Sequence, residues 1–161
     1  MKNFFKEIYP YIIIVLVVVL IRTFLFTPIR VSGPSMLPTL KNGDIMVLNK
    51  VAKVDRFDIV VIKSKRYSET LIKRVIALPG ETLEVKNGIL YINGKKIKDK
   101  YGYGTTSDVG KMKIPEGEYF VMGDNRSVSA DSRLFGTFTK KEIKGTTKLT
   151  LFPFKRLGIK K

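Results

Sequence analysis

The sequence predicts a mainly β fold: an antiparallel β-sheet body with a small β-hairpin insertion, behind one N-terminal transmembrane helix. Three observations predict it. One long apolar run fills the start of the chain. The residues after it fall into short β-branched runs bounded by Gly, Asn, Asp and Lys, the pattern of strands closed by turns. Two Asn-Gly pairs, Asn87-Gly88 and Asn93-Gly94, stand between apolar runs, and Asn-Gly signals a hairpin because both residues tolerate positive φ.

The chain opens with a short, mildly positive lead carrying Lys2, Lys6 and Glu7. Ile8 to Ile21 follows, 14 residues without a charge. With Arg22 snorkelling along its own stem, the apolar stretch reaches Phe26, 19 residues in all. At about 1.5 Å per residue that approaches the roughly 30 Å hydrocarbon core of a bilayer. A cleavable leader needs small residues after the run, and "IRTFLFTP" offers none. A buried strand is too short an explanation for so long a run. An uncleaved anchor in the cell membrane is the expectation. The N-terminus is expected in the cytoplasm and the body outside it, since long domains translocate despite their charge.

Next comes "VSGPSMLPTL", Val31 to Leu40, where Gly33, Pro34 and Pro38 stiffen the backbone around Ser35. "GDIMVLNK" (Gly43 to Lys50), "FDIVVIK" (Phe57 to Lys63) and "LIKRVIALPG" (Leu71 to Gly80) read as strands, the last stopped by Pro79 and Gly80. Leu83 to Ile97 reads as a three-stranded meander on the two Asn-Gly turns. Lys98 to Glu116 is polar and reads as a loop. "EYFVMGDN" (Glu118 to Asn125) is a further strand, "RSVSADSRLFG" an irregular loop, "FTKKEIKG" one short turn, and "GTTKLTLFP" (Gly145 to Pro153) the last strand. The expected organisation is an anchor over 1–26, a β-domain over 27–80 plus 117–153, a β-meander insertion over 81–116 and a basic tail over 154–161.

Composition narrows the chemistry. At 161 residues the chain can bury a real core. It has no Cys, which removes disulfides and thiolates, and no His, which removes Ser-His-Asp and Cys-His catalysis and the commonest zinc ligand. Acid–base work is left to Asp, Glu, Tyr and Lys. The formal net charge is +16, and without the first 26 residues it is 27 − 13 = +14. So basic a body suits anionic lipid headgroups or nucleic acid. Yet 22 of the 30 positive residues are Lys, which also suits a merely soluble surface.

To act as a nucleophile, a serine on a stiff turn needs a nearby base, and without His the best candidate is Lys. An ordinary Lys has a pKa of about 10.4; lowering it by about three units costs roughly 4 kcal/mol and needs a desolvated setting. Lys73 meets that condition, because strand alternation places it on one face with Leu71, Val75 and Ala77. Arg74 lies on the other face between Ile72 and Ile76, and guanidinium keeps its proton. Taken alone, Ser35 also reads as a turn serine and Lys73 as an edge or ion-paired lysine. The loop "GDNRSVSADSR" adds Asp124, Asn125, Arg126, Ser127, Ser129, Asp131, Ser132 and Arg133. Its alternating charges suit a hydrogen-bonded network. The alternatives are an exposed Asx-rich turn or a cation site on Asp124, Asn125 and Asp131, whose spacing matches no EF-hand.

Four separated segments, "SGPSMLPTL", "GDIMVL", "KRVIALPGE" and "GDNRSVSADSRLFG", in that order behind one anchor, together resemble the type I bacterial signal peptidases. The chain looks most like their short, single-anchor Gram-positive members, and the resemblance runs from the anchor to about Pro153. It implies a membrane-anchored serine endopeptidase that removes signal peptides from exported preproteins, cutting after small residues. By the same motifs Ser35 is implied as nucleophile and Lys73 as general base. Ser129 is implied to orient the lysine, Asp131 and Arg133 to support that serine, and Asp124 to belong to the same structural loop. Met36 falls beside the nucleophile at the substrate groove. Gly33 is a departure, because some members carry a serine hydroxyl there as oxyanion donor. The Ser35 N–H is then one expected donor, and a backbone N–H near Gly33 a candidate for the second.

The resemblance implies no metal and no cofactor. The expected partners are preproteins with signal peptides and membrane lipid with anionic headgroups, and no nucleic acid. Two rivals stand beside it. A self-cleaving SOS repressor also uses Ser and Lys on a β-fold, but needs a DNA-binding helical domain where this chain has its apolar run. A membrane-tethered basic module, binding nucleic acid or anionic lipid without catalysis, would give Ser35 and Lys73 no role.

Overall fold

The apolar run forms helix α1 (Lys2–Phe24), and the chain passes from it almost directly into strand β1 (Phe26–Arg30). The structure, a computed structural model, describes residues 2–64 and 69–160, with the side chains of α1 described from Ile8 onward. At the junction Leu25 N donates to Ile21 O at 2.9 Å, Thr27 Oγ1 to Arg22 O at 2.9 Å and Lys50 Nζ to Thr23 O at 2.7 Å. Among the described residues no helix is long and apolar enough to cross a membrane. The charged lead of Lys2, Lys6 and Glu7 lies outside the described side chains.

The rest of the chain is two antiparallel sheets. Strands β2 (Ile45–Asn49), β3 (Ile59–Lys63) and β4 (Thr70–Ala77) are the β-branched runs read from the sequence. The small sheet holds β5 (Thr82–Lys86), β6 (Ile89–Ile92), β7 (Lys95–Ile97) and β8 (Val109–Lys113), in the order β7-β6-β5-β8. Asn87 and Asn93 both take positive φ at their turns, as Asn-Gly hairpins require. The chain then returns through β9 (Glu118–Met122), the one-turn helix α2 (Ser132–Phe135), β10 (Phe138–Thr139) and β11 (Ile143–Phe152). It ends in a 3₁₀ turn (Phe154–Arg156) and β12 (Gly158–Ile159). The large sheet runs β1-β2-β11-β3-β4-β9-β10, with β12 alongside β11.

Three apolar clusters hold these layers. Ile76, Ala77, Leu83, Ile92, Phe120 and Met122 join the small sheet to the large one. Val60, Ile62, Val75, Val121 and Phe138 cover one face of β3, β4 and β9. Val31, Met36, Leu40, Met46 and Ile59 pack beneath the Ser35 turn.

Several elements differ from the sequence reading. The meander is joined by a fourth strand, β8, inside the stretch taken as loop; only Val109 and Met112 of it reach the core, so it shows little apolar period. β1 was not anticipated because Pro28 breaks the strand signal, and Pro28 is tolerated there because β1 is an edge strand. α2 is too short to show a helical period; it starts because the Asp131 side chain accepts from Arg133 N. The "FTKKEIKG" stretch makes a turn at Lys140–Glu142 between β10 and β11, which starts at Ile143 rather than Gly145. A bulge in β4 between Val75 and Ala77 turns Ala77 into the core between the sheets, away from the face on which alternation placed it.

Candidate active site

Lys73 pairs with Val60 across β3–β4, and directly opposed residues share a face. On that face lie Val60, Ile62, Leu71 and Val75, so the lysine sits in an apolar row and is 4 % exposed. Its Nζ lies 2.8 Å from Ser35 Oγ. Burial strips water from the ammonium and holds the Lys73 pKa below its ordinary value; Asp131 pulls it upward and Arg133 pushes it further down.

The way the two meet follows from the register of β9. Its pairing with β4 ends at Met122 opposite Arg74, next to the Lys73 row. There the chain turns away at Gly123, and the Ser35 turn fits against the gap. Asn125 N donates to Ser35 O at 3.0 Å and Asn125 Nδ2 to Pro34 O at 3.3 Å. Gly123 has to be glycine: a Cβ there would stand 2.5 Å from Ser35 O and 2.2 Å from Ser129 Oγ.

The nucleophile turn is tied down on its other side. Met36 is buried in the cluster beneath it, and Leu40 N donates to Met36 O at 2.8 Å. The Gly33 N–H donates to Asn42 Oδ1 at 3.2 Å, and Gly33 itself has φ of +86° with open space where a Cβ would stand. Buried Asp44 accepts from Lys41 N at 2.9 Å and pairs with Arg156 at 3.0 Å, while Arg156 also donates to Thr39 O at 2.8 Å. The C-terminal turn is thereby hooked onto the loop that carries Ser35.

Behind the dyad the polar loop forms the expected network. Arg74 and Asp124, both fully buried, make a two-pronged ion pair with 2.7 Å contacts. Arg74 also donates to Phe57 O at 2.6 Å, and its guanidinium stacks 3.7 Å over the Tyr101 ring. Asp131 takes Gly123 N at 2.9 Å and Arg133 at 2.9 and 2.8 Å. Burial alone would raise the Asp131 pKa, but the hydrogen bonds from Arg133 and Gly123, with the Ser129 hydroxyl close by, outweigh it and hold the carboxyl below the usual range. The Ser129 hydroxyl is buried against Gly123 and engages Asp131 only loosely, short of a well-formed hydrogen bond. Among the described residues, the hydrogen-bond partner of Lys73 Nζ is Ser35 and not Ser129.

The family described as signal peptidase, peptidase S26, matches residues 2–152. The chain belongs to that family. Among curated relatives, a signal peptidase I of Bacillus amyloliquefaciens is 45% identical over 91% of this chain and 86% of its own length. Signal peptidase I S of Bacillus subtilis strain 168 is 44% identical, covering 91% and 88%. A signal peptidase I of Streptococcus pneumoniae is 34% identical over 98% and 97%. A crystal structure of a signal peptidase I from Enterococcus faecalis V583 superimposes with a TM-score of 0.55 at 36% identity, over 60% of this chain and 97% of that one.

The S26 chain thus gathers Ser35, Lys73, Ser129, Asp131 and Arg133 around one point, with Asp124 one layer behind on Arg74 and Met36 beneath the nucleophile turn. Gly123 carried a signal in the sequence, as the glycine before Asp124, but its close approach to Ser35 depends on where β9 ends. Asp44 and Arg156 had none, because their pairing joins residues far apart in the chain.

Proposed function

We propose that this S26 peptidase cleaves signal peptides from exported preproteins after small residues, with Ser35 as nucleophile and Lys73 as general base. The observation that carries this reading is the 2.8 Å contact between Lys73 Nζ and Ser35 Oγ in an apolar, desolvated row. Neutral Lys73 takes the proton from Ser35 Oγ as the oxygen attacks the scissile carbonyl carbon. The resulting lysinium gives that proton to the leaving amine as the acyl-enzyme forms. Lys73 then takes a proton from water as its oxygen attacks the ester carbonyl, and returns that proton to Ser35 Oγ as the ester C–O bond breaks and the acid product leaves. We assign the Ser35 N–H as one oxyanion donor; the Gly33 N–H is already engaged by Asn42. Asp131 and Arg133 brace the wall behind the lysine, Ser129 fills that wall beside Gly123, and Met36 supports the groove from below.

We further assign α1 as a membrane anchor with the N-terminus cytoplasmic and the body outside. In support, its 23 residues would span about 35 Å, and every apolar side chain from Tyr11 to Ile21 is exposed. Anionic lipid is the second partner in this reading, supported by the +16 net charge and by exposed Phe152, Phe154, Leu157 and Ile159 beside Lys155 and Lys160. A purely binding module would leave the part-buried Ser35–Lys73 contact without a purpose.

The test is cleavage of a preprotein by wild type, Ser35→Ala and Lys73→Ala in detergent micelles. Each substitution should lower kcat by at least roughly a thousandfold. Cleavage at the wild-type rate by both variants would overturn the assignment.

A further inference from the structure

The small sheet takes no part in acyl transfer, yet the segment leading out of it lies along the loop that holds the dyad. Tyr103 bridges Asn125 in parallel, with Tyr103 N donating to Asp124 O at 2.7 Å and Arg126 N to Tyr103 O at 2.9 Å. Asp99, just after β7, anchors that segment: its Oδ1 accepts from Tyr101 N at 3.0 Å and Gly102 N at 3.1 Å. Its Oδ2 takes the Nη2 of Arg126.

Arg126 is 5 % exposed and fully engaged. Nη1 donates to Thr106 Oγ1 at 3.1 Å, and Nε to Gly123 O at 3.0 Å. Gly102 lies against the guanidinium so closely that a Cβ would be 2.7 Å from Nη1. The Gly123 peptide is therefore held from both ends, its O by Arg126 and its N by Asp131. That peptide is the surface on which Ser35 O and Ser129 Oγ rest.

We propose that Asp99 is a positioning residue for the Ser35–Lys73 dyad, acting through Arg126 and the Gly123 peptide. This rests on the Ser/Lys peptidase reading and adds to it a residue of the segment leading out of the small sheet, outside the four motifs. Asp99 supplies the carboxylate that a nearly buried guanidinium requires. Without that charge Arg126 loses its hold on Gly123 O, the wall behind Ser35 loosens, and water gains access to Lys73. The charged groups facing Lys73 are Asp131 and Arg133; Asp99 bonds to Tyr101, Gly102 and Arg126 rather than to either, and Arg133 Nη2 meets Arg126 only at its backbone O, at 2.7 Å. Rehydration then moves the lysine toward its ordinary proton affinity.

The experiment uses the full chain in micelles with a preprotein substrate, and follows kcat and KM across pH for wild type, Asp99→Asn, Asp99→Glu and Thr106→Val. Asp99→Asn should lower kcat about tenfold with KM changed by less than about twofold, and shift the acid limb of kcat/KM to higher pH. Thr106→Val should shift it the same way by less, and Asp99→Glu should recover part of the loss. A folded Asp99→Asn with the wild-type limb, or a defect confined to KM or to the folded fraction, sinks the proposal. Should Asp99→Asn not fold, an unmoved limb in Thr106→Val does the same. A wild type that cleaves no preprotein would instead sink the peptidase reading.

Discussion

Lys73 loses its hydration inside the body, and the loss falls on its charged form. Its folded pKa lies below 10.5, so between the two values the unfolded chain binds more protons. The contribution of Lys73 to stability therefore rises with pH across that window and is least favourable below it. Asp131 runs the other way: with its folded pKa below 3.8, its contribution is present above that value and is lost as pH falls through the folded one. Catalysis draws on the same asymmetry, because only neutral Lys73 can act as base. The acid limb of kcat/KM should lie well below an ordinary lysine, and Lys73→Arg should abolish cleavage since guanidinium holds its proton. Asp131→Asn removes the carboxylate that raises the Lys73 pKa, so the limb should move to lower pH. A pH–rate profile in which that limb stays put or rises would count against Asp131 as the neighbour that sets it.

At the scale of elements, β4 sets two basic residues back to back, one in an apolar row and one in a buried ion pair. Arg74 has Asp124 for its charge, Phe57 O for another donor and Tyr101 for its face. Asp124→Ala would leave a fully buried guanidinium without its counter-ion, and should cost about 3–5 kcal/mol of stability. Urea denaturation checks this through a lower midpoint at unchanged slope; a loss under about 1 kcal/mol would show that the pair is replaceable. The placement of Lys73 among Leu71 and Val75 was legible because a strand has period two and β4 is central. The bulge before Ala77 was not, since nothing local marks it. β8 and α2 escaped for want of apolar residues or length, and β1 because of Pro28. Asp99 and Arg126 lie 27 residues apart in sequence, and only the docking of the small sheet brings them together.

For the whole molecule, the proposed lipid face joins basic charge to exposed apolar surface. Lys155 and Lys160 stand among exposed Phe154, Leu157 and Ile159, and Arg156 turns inward to Asp44 on the Ser35 loop. Reconstituted into vesicles, the enzyme should cleave faster as the anionic lipid fraction rises, with the gain shrinking as salt shortens the roughly 8 Å Debye length of physiological buffer. A rate indifferent to both would argue that the basic surface serves solubility alone.

The junction between α1 and β1 has little slack. Ten residues, Leu25 to Pro34, separate the helix end from Ser35; half of them are locked in β1 against β2, and Lys50 clamps the helix terminus. A body on a loose tether would sweep its reactive serine through many heights. This one, if α1 stands in a bilayer, carries Ser35 at a set elevation, like a blade on a gauge block. On that geometry depth would select the bond to be cut alongside side-chain size, and residues inserted after Phe24 should move the cut along the substrate.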